Sequence, residues 1–213
     1  MISSEDQARD WLLGLPECDA AAFSRLEQLV SLLTAENQRQ NLVSAASLAA
    51  VWQRHIADSA QLLPLAQGTS LSPWLDLGSG AGFPGLVIAA LQPEWHVILV
   101  ESRALRAQWL EQARLALGLP HVRVVSTRLE TLESAPMAAI SARAFAPLSK
   151  LIDLSARFST NETIWLLPKG RSAHQELQEL SGWHHMFHVE QSLTDPEAGI
   201  VIGTLQARKG RKS

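Results

Sequence analysis

The chain has no tyrosine and one cysteine, Cys18, in 213 residues. Without tyrosine, a Tyr–Lys pair cannot serve as the acid–base set of a nicotinamide oxidoreductase. One cysteine can neither close an intramolecular disulfide nor build a zinc site with other cysteines, so no metal is expected. Long apolar runs are also missing. The longest in the middle of the chain, Leu86 to Leu91, has six residues. A membrane span needs about 20, so no membrane association is expected. The opening Met-Ile-Ser-Ser-Glu-Asp has neither the basic nor the apolar region of a signal peptide, and a cytoplasmic location is expected. Nor is there an excess of one charge. The 18 Lys and Arg against 21 Asp and Glu leave a net charge of −3. That balance lacks the basic footprint usual in nucleic-acid-binding domains.

Apolar residues, at 46%, suffice for a hydrophobic core and exclude a disordered chain. The charge that is present is unevenly spread. Seven bases (Arg123, Arg128, Arg143, Lys150, Arg157, Lys169 and Arg171) face four acids between Val122 and Arg171, and the tail adds Arg208, Lys209, Arg211 and Lys212. The tail reads first as a solvated end, and alternatively as a contact for a polyanion.

Residues 1–66 read as a helical N-terminal extension. Phe23, Leu26, Val30 and Leu33 recur at helical spacing behind Asp19, a suitable N-cap. A second helical pattern runs from Leu48 to Leu63 and stops at Pro64. Arg54 and Asp58 stand four apart on it, so the plain expectation is an intrahelical ion pair. The alternative is a buried network that braces the front helices against the cofactor loop. A polar linker from Gly68 to Pro73 separates this part from residues 67–213, where strands and helices alternate. Strands are expected at Trp74–Leu77, Val97–Val100, Val122–Val125, Ala138–Ser141, Thr163–Leu167, His184–Glu190 and Ile200–Ala207. Helices are expected at Pro84–Leu91, Leu105–Leu117, Pro147–Phe158 and Ala173–Leu180. The alternation predicts an α/β fold, a mostly parallel Rossmann-like sheet with helices on both faces. The last two strands have no helix between them and should form an antiparallel hairpin at the sheet edge.

The densest signal is Trp74-Leu-Asp76-Leu-Gly78-Ser-Gly80-Ala-Gly82-Phe83-Pro84-Gly85. An apolar strand enters a glycine cluster and a helix follows. Such a loop lies at the carboxyl ends of the strands of an open parallel sheet, where ligands bind. Gly80-x-Gly82-x-x-Gly85 fits the dinucleotide fingerprint by letter. With the strand ending at Leu77, however, Gly78 is the first glycine, and Gly82 then falls one residue too early for a dinucleotide loop. Gly78-x-Gly80-x-Gly82 behind Asp76 fits the loop of S-adenosylmethionine enzymes instead. A carboxylate at Asp76 suits a cationic ligand and opposes a pyrophosphate. Glu101 ends the next strand, where its two oxygens can accept from both hydroxyls of a ribose. A methyl donor and a nicotinamide nucleotide both carry one.

At this point the chain resembles the ribosomal RNA small subunit methyltransferase G family, also called glucose-inhibited division protein B. The resemblance rests on Asn41-Leu-Val-Ser44, Arg54-His-Ile-Ala-Asp58-Ser59, Leu75 through Gly85, Glu101-Ser102, Arg128-x-Glu130, Ser141-Ala-Arg143-Ala-Phe145 and Pro168-Lys-Gly170. It implies a class I methyltransferase that moves a methyl group from S-adenosyl-L-methionine to N7 of a guanine in 16S ribosomal RNA. The RNA partner would be met in a small-subunit ribonucleoprotein. The resemblance further implies that Gly78 and Phe83 line the cofactor loop, that Leu129 and Glu130 flank the adenine, and that Arg143 sits at the mouth of the site. With Asp76, Gly80, Gly82 and Glu101 these make up the expected cofactor set.

Guanine N7 bears an in-plane lone pair and no proton, so no general base is expected. N7 lies on the major-groove edge, which side chains cannot reach in A-form RNA, so the base must be turned out and stacked. Arg143, Phe83 and Phe145 are positioned for that stacking, and Lys169 on the same rim can hold phosphate. Arg143, Phe145 and Lys169 are thus the expected substrate set. The competing readings are an NAD(P)-dependent oxidoreductase and a non-catalytic RNA-binding module.

Overall fold

The structure is a computed structural model that describes residues 1–66 and 71–210. Residue 67 at the expected boundary, the first half of the linker, and Arg211 and Lys212 of the tail lie outside the described residues. The chain opens with α1 (Glu5–Leu13) and α2 (Ala20–Glu36). Asp19 caps α2 as its side chain accepts from the Ala22 amide at 2.7 Å. Leu26, Leu29 and Leu33 place the apolar stripe of α2 in the core at 0% exposure, each burial contributing about 1.5–3 kcal/mol.

The helix expected over 48–63 is not continuous. It breaks into α3 (Ala45–Leu48), a π-helical stretch at Trp52–Ala57, α4 (Asp58–Ala60) and α5 (Leu62–Leu65). The cause is tertiary. The Glu5 carboxylate accepts from the Trp52 and Gln53 amides at 3.0 and 2.8 Å, capping the segment from a different helix. The wider π turn rotates Arg54 and Asp58 off a common face. The intrahelical pair does not form, and each side chain finds a distant partner.

Beyond the linker come β1 (Trp74–Leu77), α6 (Gly85–Leu91), β2 (Val97–Glu101), α7 (Ala104–Ala116), β3 (Val122–Ser126), β4 (Ala139–Ala142), α8 (Leu148–Ser155), β5 (Ile164–Gly170) and α9 (Ala173–Glu179). The chain finishes with β6 (Trp183–His185), β7 (His188–Gln191) and β8 (Gly199–Arg208). The sheet order is β3-β2-β1-β4-β5-β8-β6, with β7 also paired to β8. β1 to β5 are mutually parallel and β8 is antiparallel to its neighbours. The expected terminal hairpin is present, but its last strand lies inside the sheet and β6 and β7 form the edge. The single strand expected at 184–190 is split where the chain passes Gly203. A Cβ on Gly203 would lie 2.4 Å from the Met186 carbonyl oxygen, so that glycine admits the kink.

Alternate residues of β1 serve opposite faces. Trp74 joins α1, α2, the 51–63 segment, α6 and α7 in one core, while Leu75 and Leu77 join α8 and Phe158 in the other. The described part of the helical extension therefore has no core of its own. It completes the covering of one sheet face.

Candidate functional site

Register builds the site. Leu77 stands beside Val100 on one side and Ala142 on the other. The next residue of each strand is Gly78, Glu101 and Arg143, so these three line up across the carboxyl edge. Gly78 and Gly80 turn the chain at φ +68 and +56, a region closed to most side chains. The Glu101 carboxylate reaches under the turn, accepting from the Gly80 amide at 3.0 Å and the Arg103 amide at 2.8 Å. A cavity of about 270 Å³ adjoins this row, lined by Gly78, Val100, Ser102, Leu129, Glu130 and Phe145 among others. Four of the expected cofactor residues (Gly78, Glu101, Leu129 and Glu130) thus meet here or at its edge, with Gly80 on the same turn.

Three others are placed differently. Asp76 is fully buried, and burial pushes its carboxyl above the ordinary carboxylate range. Its Oδ1 accepts from Ser141 Oγ at 2.7 Å and its Oδ2 from the Gly85 amide at 3.3 Å. It is a clamp between β1, β4 and α6, turned inward because every polar partner lies inside, and it does not face a ligand. Ser141 is the middle of that clamp, since its Oγ also accepts from Trp74 Nε1 at 2.8 Å. Gly82 is buried, and a Cβ there would strike Leu86, so its smallness serves helix packing. Phe83, 3% exposed, lies beneath the site, stacked on His55 at 4.8 Å with Arg143 Cζ 5.1 Å from its ring centre.

Arg143 directly follows β4 at the carboxyl edge, and the structure shows what holds it. Its Nη1 donates to Asp58 Oδ2 at 3.3 Å and to the Arg54 carbonyl at 3.2 Å, and its Nη2 to His55 Nδ1 at 3.0 Å. Arginine only donates, so His55 is neutral with its proton on Nε2. Burial, then Arg143 and Arg54, hold its pKa at about 3. Asp58 also accepts from Thr194 Oγ1 at 2.7 Å, and Arg54 pairs with Asp195 at 3.0 Å. A bracing network does form, but its hydrogen bonds tie the helical extension to Arg143 after β4 and to the turn before β8, and only the His55–Phe83 stacking reaches the glycine loop. Periodicity could not reveal Asp58, Thr194 or Asp195, because their partners lie 85 to 141 residues away.

Lys169 corrects a further expectation. Its side chain is 8% exposed, with Nζ 2.6 Å from the Ala146 carbonyl and 3.0 Å from Glu176. Glu176 also accepts from the Leu148 amide and Ser172 Oγ. Burial opposes ionisation of Glu176, but these bonds hold its pKa below the usual value. Lys169 therefore pins the β4–α8 loop, and its charge is already matched by Glu176 rather than free for a phosphate alone. Phe145 is the loop's exposed large apolar side chain, at 36%. It borders both the smaller cavity and a second one of about 660 Å³, lined by His55, Arg143, Lys169 and Ile200 among others. Among the described residues no group of three or more His, Cys, Asp or Glu could hold a metal ion. No described helix is long and apolar enough to cross a membrane.

A glycine turn at the carboxyl edge, an acid ending the second strand and a cavity beyond it are features of nucleoside-binding α/β folds. Solved structures agree on the fold. A SAM-dependent methyltransferase from Aquifex aeolicus superposes with a TM-score of 0.58 at 11% identity, over 80% of this chain and 98% of that one. A variant of MtNAS in complex with S-adenosylmethionine superposes with a TM-score of 0.57 at 15% identity, over 96% and 85%. Sequence relatives are much nearer. The ribosomal RNA small subunit methyltransferase G of Novosphingobium aromaticivorans is 61% identical over 98% of this chain and 91% of its own. That of Rhizorhabdus wittichii is 45% identical over 99% and 97%. The model of the GidB family, rRNA small subunit methyltransferase G, matches residues 22–195, a span that takes in the bracing helix, the glycine turn, Arg143 and Lys169. With the turn, the acid and the braced arginine all inside that match, the chain belongs to the rRNA small subunit methyltransferase G family.

Proposed function

We propose that the protein transfers a methyl group from S-adenosyl-L-methionine to N7 of a guanine in 16S ribosomal RNA, in the cytoplasm and on a small-subunit particle. The observation that carries this reading is the row Gly78–Glu101–Arg143 at the carboxyl edge of a family-typical sheet. The residues fit the methyl donor. Gly78 and Gly80 open the main chain, Glu101 offers a carboxylate for ribose hydroxyls, and Leu129 and Glu130 border a cavity of nucleoside scale. When bound, the donor supplies an electrophilic methyl on a sulfonium.

The guanine N7 lone pair forms the new N–C bond as the C–S bond breaks. The pair from that bond stays on sulfur and the positive charge passes to the purine. No proton leaves N7, so the chain needs no general base, and His55, held neutral and buried, is not asked to act as one. The residues orient the reactants, and orientation alone can supply up to about 7–11 kcal/mol. Arg143 has an Nε–H and one Nη2–H beyond its contacts to Asp58, Arg54 and His55, and these can meet the base or its phosphate.

The test is methylation with labelled S-adenosylmethionine of naked 16S RNA and of small-subunit particles from a strain lacking the modification, followed by mass mapping. Label at one guanine as 7-methylguanine, stronger on particles, is expected. Label elsewhere, or none with either substrate, refutes the reading. Titration with NADH separates out the oxidoreductase alternative.

A further inference from the structure

Phe145 occupies an unusual place. Its ring lies directly on Gly78, where a Cβ would come within 2.5 Å of Phe145 Cδ2. That patch of main chain is where a ligand of the glycine turn would approach. The ring borders both the 270 Å³ cavity beside the turn and the 660 Å³ cavity on the other side. It is one of the few exposed large apolar side chains described, so the core does not fix it.

The flanking residues are fixed. Arg143 is bound to His55, Asp58 and the Arg54 carbonyl, and the Ala146 carbonyl is bound to Lys169. Between these anchors stands Ala144 at φ +52, the one non-glycine residue with a positive φ among the described residues. Left-handed backbone at an ordinary residue is strained and collects at switching segments. The 144–145 pair is the stretch of this loop that lies between those anchors.

We propose that Phe145 is a displaceable partition between cofactor and RNA. Its ring covers the Gly78 seat and competes for it with the methionine end of the methyl donor. Once displaced to the larger cavity, the ring is the face on which the turned-out guanine stacks. Donor arrival thus prepares the acceptor platform. This inference rests on the methyl-transfer reading above and assigns the order in which the two ligands are seated.

Two variants test it, each measured by calorimetry with S-adenosylhomocysteine and by methylation of small-subunit particles at saturating donor. Phe145→Ala uncovers the seat and removes the platform. It is expected to bind S-adenosylhomocysteine about three- to tenfold more tightly while methyl transfer falls at least tenfold. Phe145→Leu keeps the cover and loses the flat ring, so its affinity should match wild type while transfer still falls. Affinity lost or unchanged in Phe145→Ala overturns the proposal, as does wild-type transfer in either variant. Wild-type protein that binds no S-adenosylhomocysteine would overturn the methyl-transfer reading itself, so the two failures are distinguishable.

Discussion

Part of this fold's sensitivity to acid should run through His55. His55 is 7% exposed, its ring stacked on Phe83 and its Nδ1 accepting from Arg143. Its Nε2 is buried without a hydrogen-bond partner. Burial and the two neighbouring arginines lower its pKa from 6.5 to about 3. In the unfolded chain the imidazole takes a proton near pH 6.5, whereas in the folded chain it stays neutral to about pH 3. Between those values the unfolded state binds the extra proton. The stability tied to His55 is therefore complete above pH 6.5 and declines as pH falls, with no further loss below about pH 3. The slope approaches about 1.4 kcal/mol per pH unit, which amounts to about 2 kcal/mol between pH 7 and pH 5. His55→Asn is the control, because its Oδ1 can still accept from Arg143 but cannot titrate. Urea unfolding of both proteins at pH 7 and pH 5 should show the wild type losing about 2 kcal/mol more than the variant. His185, Asp76, Glu176 and Asp195 are present in both proteins and cancel in the difference. Equal losses would mean that His55 is not held neutral against Arg143, and the brace would have to be abandoned.

Other perturbations follow from the same geometry. Asp76→Asn sets an amide N–H against the Gly85 amide or Ser141 Oγ, and urea titration should show a loss of about 1–3 kcal/mol. Glu101→Ala should weaken S-adenosylhomocysteine binding at least tenfold, since charge-assisted hydrogen bonds contribute about 1.5–3 kcal/mol each; unchanged calorimetric affinity would remove Glu101 from the site. In Arg143→Ala, methylation of small-subunit particles should fall at least tenfold while cofactor affinity changes less than about threefold. Losing one phosphate contact would also lower the salt slope of RNA binding by about one unit. Equal loss of both ligands would move Arg143 to the cofactor side.

Local features were readable wherever the signal is carried by neighbours in sequence. Asp19 caps α2 because a cap needs only the next few amides. The turn at Gly78 and Gly80 follows from glycine's access to positive φ. The alternation of short apolar runs with helical stretches gave the parallel sheet, and the site row follows from where three strands end. Reading failed where the partner is remote. Glu5 caps a fresh helical start at Trp52 and Gln53, and no periodicity in residues 48–63 announces a carboxylate from α1. Asp76 read as a ligand-facing charge because its distance from the glycines is visible, whereas Ser141, which turns it inward, comes from another strand. Lys169 read as a free cation because Glu176 and the Ala146 carbonyl close over it only after β5 and α9 are placed.

The sequence by itself determined the class of fold, the position of the nucleotide-side turn and the family, because each rests on short patterns of residue type and spacing. Tertiary structure alone decided which charged groups serve chemistry and which serve architecture. Arg143, Asp58, Lys169 and Asp76 are the same residue types whether free or clamped. The difference lies in what the sheet register and the helical extension bring within about 3 Å of them, since buried charge persists only where partners compensate it.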